Sequence, residues 1–165
     1  WGGRGQTRVC ALTELTAEQG DALRNLCSNF ADADWACEIV NDIEPLLWEK
    51  LIVNAGINPL TALFDVPNGE LLTNENFRAI MAGLVQEAHA VAQKHGIAKS
   101  LDEVRKTVEG VCERTGSNIS SMLQDVRRGK QTEVEYINGA VAEEGKKLGI
   151  ETPLNRLVLE LLMKS

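Results

Sequence analysis

The sequence has 165 residues, of which 44% are hydrophobic and 25% charged, an ordinary composition for a folded domain with a real core. Its formal charge of −7 argues against a nucleic-acid partner, because phosphate backbones are bound by clustered Lys and Arg. No apolar run approaches the roughly 18 residues of a membrane helix, and no leader pattern opens the chain. We therefore expect a cytoplasmic protein with no membrane partner. The first residue is Trp1 rather than Met, which suggests a piece of a longer chain.

The cysteines do not follow the spacing of a metal site. Neither CxxC nor a Cys/His pattern occurs, so the sequence predicts no bound metal and no disulfide framework. We expect reduced, mostly structural thiols. The four residues are Cys10, Cys27, Cys37 and Cys112.

The first forty residues predict strand, helix, strand. Residues 7–15 alternate loosely and include β-branched side chains, which favours a strand, and residues 37–40 favour another. Between them, Thr16 and Gln19 have the spacing of a capping box, and apolar residues follow at helical intervals.

After Asp42 every segment predicts helix. Pro59 disfavours helical geometry in the residue before it, so we expect one helix to end near Asn58 and a short one to begin at Pro59. Capping boxes at 100–103 and 132–135 predict two later helix starts. The other predicted helices are 74–95 with Gly96 as C-cap, 119–128 closed by Gly129, and a last one begun by Thr152 and Pro153. The prediction is a domain of six or seven helices.

A polar stripe interrupts the apolar helix at 46–57. Lys50, Asn54 and Asn58 lie at i, i+4 and i+8, so at about 100° per residue they fall within roughly 80° of one another. A lysine on a buried helix loses hydration worth several kcal/mol unless something compensates it. Either Lys50 reaches the surface or a structural carboxylate, or the stripe lines a cleft in which Lys50 donates a proton.

Three further polar residues have structural explanations when taken alone. Ser120 and Ser121 stand near a helix start, where Ser commonly serves as a cap. Glu133 lies in the first turn after Thr132, where the helix dipole favours a carboxylate.

Two long strings resemble the C-terminal domain of the ketopantoate reductase (2-dehydropantoate 2-reductase) family. They are LLWEKLIVNAGINPLTALFDVPNGELL and NISSMLQDVRRGKQTEVEYINGAVAEEGKKLGI. The resemblance covers nearly everything after Asp42 and implies a mainly α, multi-helix C-terminal domain of the 6-phosphogluconate-dehydrogenase-like type. It assigns residues 1–41 to the end of a Rossmann-type NADPH-binding domain that is mostly missing, a short α/β remnant. It assigns residues 42–165 to the helical substrate-binding and catalytic domain.

The same resemblance implies a role for each matched residue. Lys50 matches the catalytic lysine, which gives a proton to the carbonyl oxygen as hydride arrives from NADPH. Glu133 matches a carboxylate beside the cofactor and the catalytic lysine. The positions that match substrate contacts are Asn54, Asn58, Asn68 and Ser121.

The implied function is reduction of ketopantoate to pantoate in pantothenate and coenzyme A biosynthesis. The implied partners are a small 2-oxoacid substrate and the chain's own N-terminal Rossmann domain, with a homodimer left open. Because NADPH is bound mainly by the missing domain, we expect this chain alone to be inactive. The alternatives are a reductase of a different 2-oxoacid and a helical binding or dimerisation module without chemistry.

Overall fold

The computed structural model describes residues 7–164, which fall into two units, 1–44 and 45–165. The first unit contains strand β1 (Thr7–Val9), helix α1 (Ala17–Asp32) and strand β2 (Cys37–Ile39). The two strands pair in parallel, with Thr7 opposite Cys37. A parallel pair joined by a helix is a βαβ unit, which confirms the predicted order. Both strands are shorter than predicted.

The second unit consists of helices. They are α2 (Glu44–Phe64, which begins one residue before the unit), α3 (Glu70–Thr73), α4 (Glu75–Ala92), α5 (Leu101–Arg114), α6 (Ser121–Arg127), α7 (Ala140–Leu148) and α8 (Pro153–Met163). A 3₁₀ turn, Gln93–His95, extends α4, and a π-helical turn, Glu135–Gly139, precedes α7. Within residues 7–164 no helix combines the length and the apolarity that crossing a membrane requires.

Local capping signals placed most helix ends correctly. The boxes at Thr16 and Ser100 both form, each with its side chain accepting from the backbone N–H three residues on. Gly96 and Gly149 adopt φ of 80° and 69° as C-caps, a conformation that glycine reaches without strain. Thr152 and Pro153 begin α8 as predicted.

The predicted helix break at Pro59 is wrong, because α2 continues through it to Phe64. Proline has no N–H, so the carbonyl of Ala55, four residues earlier, loses its helical donor. The side-chain Nδ2 of Asn138 donates to that carbonyl at 3.1 Å. A donor from another part of the chain thus replaces the missing bond and lets the helix continue.

Asn138 belongs to the π-helical turn, which the sequence did not predict. The expected capping box at 132–135 does not close: Thr132 Oγ1 accepts from Val134 N at 3.5 Å, and Glu135 already lies in the π turn. A π turn inserts one extra residue per turn and changes which side chains face a neighbouring helix. Here it accompanies the fully buried placement of Asn138 against α2.

A buried chain of hydrogen bonds continues from Asn138 to α8. Asn138 Nδ2 donates to Asn155 Oδ1 at 2.9 Å, and Asn155 Nδ2 donates to Glu87 Oε2 at 2.8 Å. The Glu87 carboxylate also accepts from the backbone N–H groups of Leu154 and Asn155, and so caps α8. Helices α2, α4 and α8 and the π turn therefore share one polar network.

The apolar core of the second unit surrounds α4, which packs against α5, α7 and α8. Leu84, Val85 and Ala88 of this helix are fully or almost fully buried. Helix α2 approaches α4 closely at Gly56, where an added Cβ would lie 2.8 Å from Val85 Cγ2. Small side chains at this crossing fix the position of the helix that carries the polar stripe.

We expect Asn138→Ala to lower the free energy of unfolding by about 1–3 kcal/mol, because it leaves buried polar groups unpaired. In a Pro59→Ala background the same change should cost about 1 kcal/mol less, since residue 59 regains an N–H for Ala55. Urea unfolding of the unmodified protein, the two single variants and the double variant measures this coupling. Asn76→Ala, an exposed position on α4, is the control and should be near neutral. Equal losses in both backgrounds would contradict the replacement of the helical bond by Asn138.

Candidate functional site

The polar stripe on α2 changes in exposure along its length. Lys50 is exposed, Asn54 is half-buried and Asn58 is buried with 9% of its surface exposed. Successive members are about 6 Å apart along the helix axis. The stripe thus extends from solvent at the lysine into the packed domain at Asn58.

Lys50 does not carry the desolvation penalty expected from the sequence. Helix α2 is not buried all round at this end, where Leu47 is also 57% exposed. Within residues 7–164 the Lys50 ammonium has no hydrogen-bond or ion-pair partner. The neighbouring Glu49 is held by Lys99 at 2.5 Å. Lys50 therefore reaches the surface without a structural carboxylate and stays free to meet an anionic group.

Asn68 is held by the connection between α5 and α6. Its backbone N–H donates to Asn118 O at 3.0 Å, and its side-chain Nδ2 donates to Thr115 Oγ1 at 2.8 Å. The next residue, Gly69, donates to Gly116 O at 3.0 Å. These bonds bring the turn that carries Asn68 against residues 115–118.

The same connection is bonded to α2 one turn after Asn58. Thr61 Oγ1 lies 2.7 Å from Ser120 Oγ and 2.9 Å from the Asn58 carbonyl. Ser120 Oγ also accepts from Leu123 N, which makes Ser120 the N-cap of α6. The capping interpretation is therefore right for Ser120, whereas Ser121 is exposed at the first helical position.

These bonds place Asn68 against residues 115–118 and link the Asn58 carbonyl, through Thr61, to Ser120, the residue before Ser121. Asn54 lies one helical turn before Asn58. Glu133 is exposed and precedes the π turn, which the Asn138 bond ties to α2. In the part of the chain that the structure describes, no ion pair joins Glu133 to Lys50. The structure thus links Asn58, Asn68 and Ser121 through the connection between α5 and α6. It shows no bond between Lys50 and Glu133 in residues 7–164.

Asn68 has an open hydrogen-bonding position. Its side chain is buried, with 7% exposed, and its Oδ1 has no partner in the described residues. A buried acceptor without a partner is costly, and a bound hydroxyl or ammonium would satisfy it. This oxygen is the strongest sign of a ligand contact among the predicted positions.

Sequence reasoning missed three residues that build this region, and it predicted Ser120 only as a cap. Thr61 links α2 to Ser120 at the start of α6, and Asn138 carries the bond to Ala55. Asn118 has an exposed side chain beside Asn68 and stands three residues before Ser121. The sequence alone shows that Asn118 stands close to the two serines at the predicted helix start, so this residue could have been singled out. The other contacts join distant positions and left no local signal.

Two surface grooves lie elsewhere in the second unit. One, of about 670 Å³, runs between the π turn, α7 and α8, and the other, of about 310 Å³, is lined by Thr132, Val134 and Leu162 among others. None of the six predicted site residues lines either groove. Across residues 7–164 no group of three or more His, Cys, Asp or Glu side chains is placed to hold a metal ion.

Comparison with known proteins identifies relatives of the whole described region. The family model described as "Ketopantoate reductase PanE/ApbA C terminal" matches residues 42–165. The chain is 42% identical over 156 residues to a 2-dehydropantoate 2-reductase of Archaeoglobus fulgidus, covering 94% of this chain and 48% of that protein. It is 40% identical over 124 residues to that of Salmonella typhimurium, covering 75% and 40%. The chain spans about half the length of the curated relatives it matches.

Solved structures agree on the fold. A PanE/ApbA family ketopantoate reductase from Ralstonia eutropha JMP134 superposes with a TM-score of 0.81 at 31% identity, covering 96% of this chain and 51% of that chain. A D-mandelate dehydrogenase, solved with NADH and anilino(oxo)acetate, superposes with a TM-score of 0.85 at 28% identity, covering 98% and 66%. The predicted mainly α fold, preceded by a short α/β segment, is confirmed.

We expect Gly69→Ala to destabilise the turn that carries Asn68. An added Cβ would lie 3.0 Å from Gly116 Cα and 3.1 Å from Gly116 O, and backbone atoms cannot rotate away. The loss should be about 1–3 kcal/mol in thermal unfolding. In the control Gly110→Ala, the added Cβ meets only the flexible end of Arg114, and the change should stabilise by about 0.5–1 kcal/mol. A neutral Gly69→Ala would contradict the close contact of the two turns.

Proposed function

The chain belongs to the ketopantoate reductase family, and from that premise we propose that it is the C-terminal half of an NADPH-dependent 2-dehydropantoate 2-reductase. The observation that carries the proposal is the stripe from the free ammonium of Lys50 to Asn58, bonded to the connection that presents Asn68 and Ser121. A cationic donor beside neutral amides suits a substrate with a carboxylate and a reducible carbonyl.

In the proposed reaction Lys50 is the general acid. Hydride addition to C2 of a 2-oxoacid develops negative charge on the carbonyl oxygen, and a nearby ammonium stabilises that charge and supplies the proton. Asn54, Asn58 and Ser121 donate hydrogen bonds to the substrate without adding charge. The unpartnered Oδ1 of Asn68 accepts from a substrate hydroxyl, the group that distinguishes ketopantoate from simpler 2-oxoacids.

The nicotinamide cofactor supplies the hydride when bound. In this chain we assign Glu133 to it, because its exposed carboxylate has no side-chain partner in residues 7–164 and can accept from a hydroxyl. We propose that residues 1–41 end a Rossmann-type domain, which fits the parallel βαβ unit, and that residues 42–165 form the substrate domain. Most contacts to NADPH then belong to the rest of the reductase. We therefore expect the isolated chain to show no reductase activity.

In the complete reductase, Lys50→Ala should lower kcat by about 10²- to 10⁴-fold, because general acid help is lost. The fold should survive, since Lys50 is exposed and has no partner in the described chain. Steady-state kinetics with ketopantoate and NADPH, beside a thermal melt, measures both effects.

The matched control is Lys94→Ala, which removes an exposed lysine outside the stripe and should leave kcat unchanged. Near-normal turnover of Lys50→Ala would exclude Lys50 as the acid. Absence of turnover in the unmodified complete protein, with every 2-oxoacid tried, would favour the non-catalytic helical module instead.

A second candidate is a reductase of another 2-oxoacid. It is favoured by the similarity to a D-mandelate dehydrogenase, whose fold superposes at least as well as that of the ketopantoate reductases. The family premise and the general acid stay the same, and only the substrate side chain differs. The unpartnered acceptor of Asn68 favours ketopantoate, because an aryl or alkyl group would leave it unpaired.

We expect kcat/KM for ketopantoate to exceed that for 2-oxo-3-methylbutanoate, which lacks the hydroxymethyl group, by about 10- to 100-fold, the effect of one unpaired buried acceptor. Asn68→Ala should reduce this ratio more than it reduces turnover of the simpler substrate. A panel of 2-oxoacids that includes an aryl member provides the measurement. Preference for the aryl or the simpler alkyl substrate would support the second candidate.

A further inference from the structure

Two cysteines of the first unit face each other. Cys27 lies on the inner side of α1 and Cys37 begins β2, and their Sγ atoms are 2.6 Å apart. Cys27 is 9% exposed and Cys37 is half-buried. Both belong to the same compact unit, so the distance reflects the local βαβ packing. No sequence pattern indicated this pair, because the two positions are ten residues apart and match no motif.

The other two cysteines have no such neighbour within the described residues. Cys10 Sγ lies near the carbonyl oxygens of Ala11 and Asn41, and Cys112 Sγ is 3.9 Å from Met81 Sδ. A disulfide has an S–S length of about 2.0 Å, so Cys27 and Cys37 need to close by only about half an ångström. The chain thus contains one pair of thiols placed to bond.

The connection between the two cysteines is already ordered. The helix α1 ends with Trp35 N donating to Phe30 O at 2.9 Å, and the rings of Phe30 and Trp35 stack with centroids 6.4 Å apart. Asp34 takes a φ of 62° and turns the chain toward β2. These contacts hold the two thiols together before any bond forms.

We propose that Cys27 and Cys37 are a redox modification site, a dithiol that closes to a reversible disulfide joining α1 to β2. The oxidant is a small-molecule disulfide such as oxidised glutathione. The thiolate of Cys37, the more exposed thiol, attacks one sulfur of the oxidant and forms a mixed disulfide while one thiol leaves. The Cys27 thiolate then attacks Cys37 Sγ and the second thiol leaves. The protein loses two protons and two electrons, and the oxidant becomes two thiols.

The hydrogen bond to Cys27, followed by burial, raises the pKa of Cys37 to about 11. Only the thiolate attacks a disulfide, so the reaction should be slow at neutral pH and accelerate as pH rises toward that value. At neutral pH the pair therefore oxidises slowly even when the oxidant is present. Once formed, the bond closes a short loop and restricts the unfolded chain, so the oxidised form should unfold at a higher temperature.

The test is oxidation of the complete protein with oxidised glutathione, followed by alkylation of free thiols and mass analysis of peptides. Trypsin leaves both cysteines in peptide 25–50, because no Lys or Arg lies between them. We expect that peptide to lose two hydrogens and to resist alkylation. Chymotryptic cleavage after Phe30 and Trp35 should then give two pieces that separate only on reduction. The rate should rise between pH 7 and pH 9.

The matched control is Cys10→Ser, which should oxidise as the unmodified protein does. Cys37→Ser should abolish both the bond and the rise in unfolding temperature on oxidation. The proposal is overturned if peptide 25–50 stays alkylated at both positions, if it carries only glutathione adducts, or if Cys27 bonds to Cys10 instead. The peptide analysis of the unmodified protein decides even if a serine variant fails to fold.

Discussion

The bond from Asn138 to the Ala55 carbonyl is the interaction on which the shape of the site depends. A proline inside a helix costs about 3 kcal/mol or more, partly because one carbonyl loses its donor. With that carbonyl satisfied, α2 continues beyond Pro59 and carries Thr61 to the cap of α6. Had the helix ended at Asn58, neither the Thr61 contact with Ser120 nor the present position of the amides that we propose bind substrate would follow.

The same amide joins the site to the end of the chain. Through Asn155 and Glu87 the network reaches the first turn of α8, where a carboxylate compensates the helix dipole and satisfies two backbone donors. The apolar core around α4 supplies most of the burial, and the close approach at Gly56 limits where α2 can lie. The directional bonds of Asn138 add to this contact, although one buried acceptor, Asn138 Oδ1, has no partner in residues 7–164.

Whether a feature could be predicted from the sequence depends on how far apart along the chain its interacting residues lie. The caps at Thr16, Ser100 and Gly96 depend on neighbours within four residues, and all were predicted. The break at Pro59 was predicted wrongly because the compensating donor lies 83 positions from the carbonyl it serves. The stripe on α2 followed from helical spacing, whereas the roles of Asn68, Ser121 and Glu133 came only from family resemblance. No sequence pattern indicated the contact between Thr61 and Ser120, which are 59 positions apart.

The stripe divides the proposed work between its two ends. Near Asn58 and Asn68, hydrogen bonds within the domain hold the chain in place. Binding of the proposed substrate there would therefore cost the protein little conformational entropy. Lys50 has no such support: its side chain loses up to about 2 kcal/mol of rotamer entropy when it is held in one position, and nothing in residues 7–164 compensates that loss. Under the proposed function, the substrate and the rest of the reductase must orient the ammonium. The proposed amide contacts are therefore properties of this domain, whereas the proposed proton transfer depends on the complete reductase.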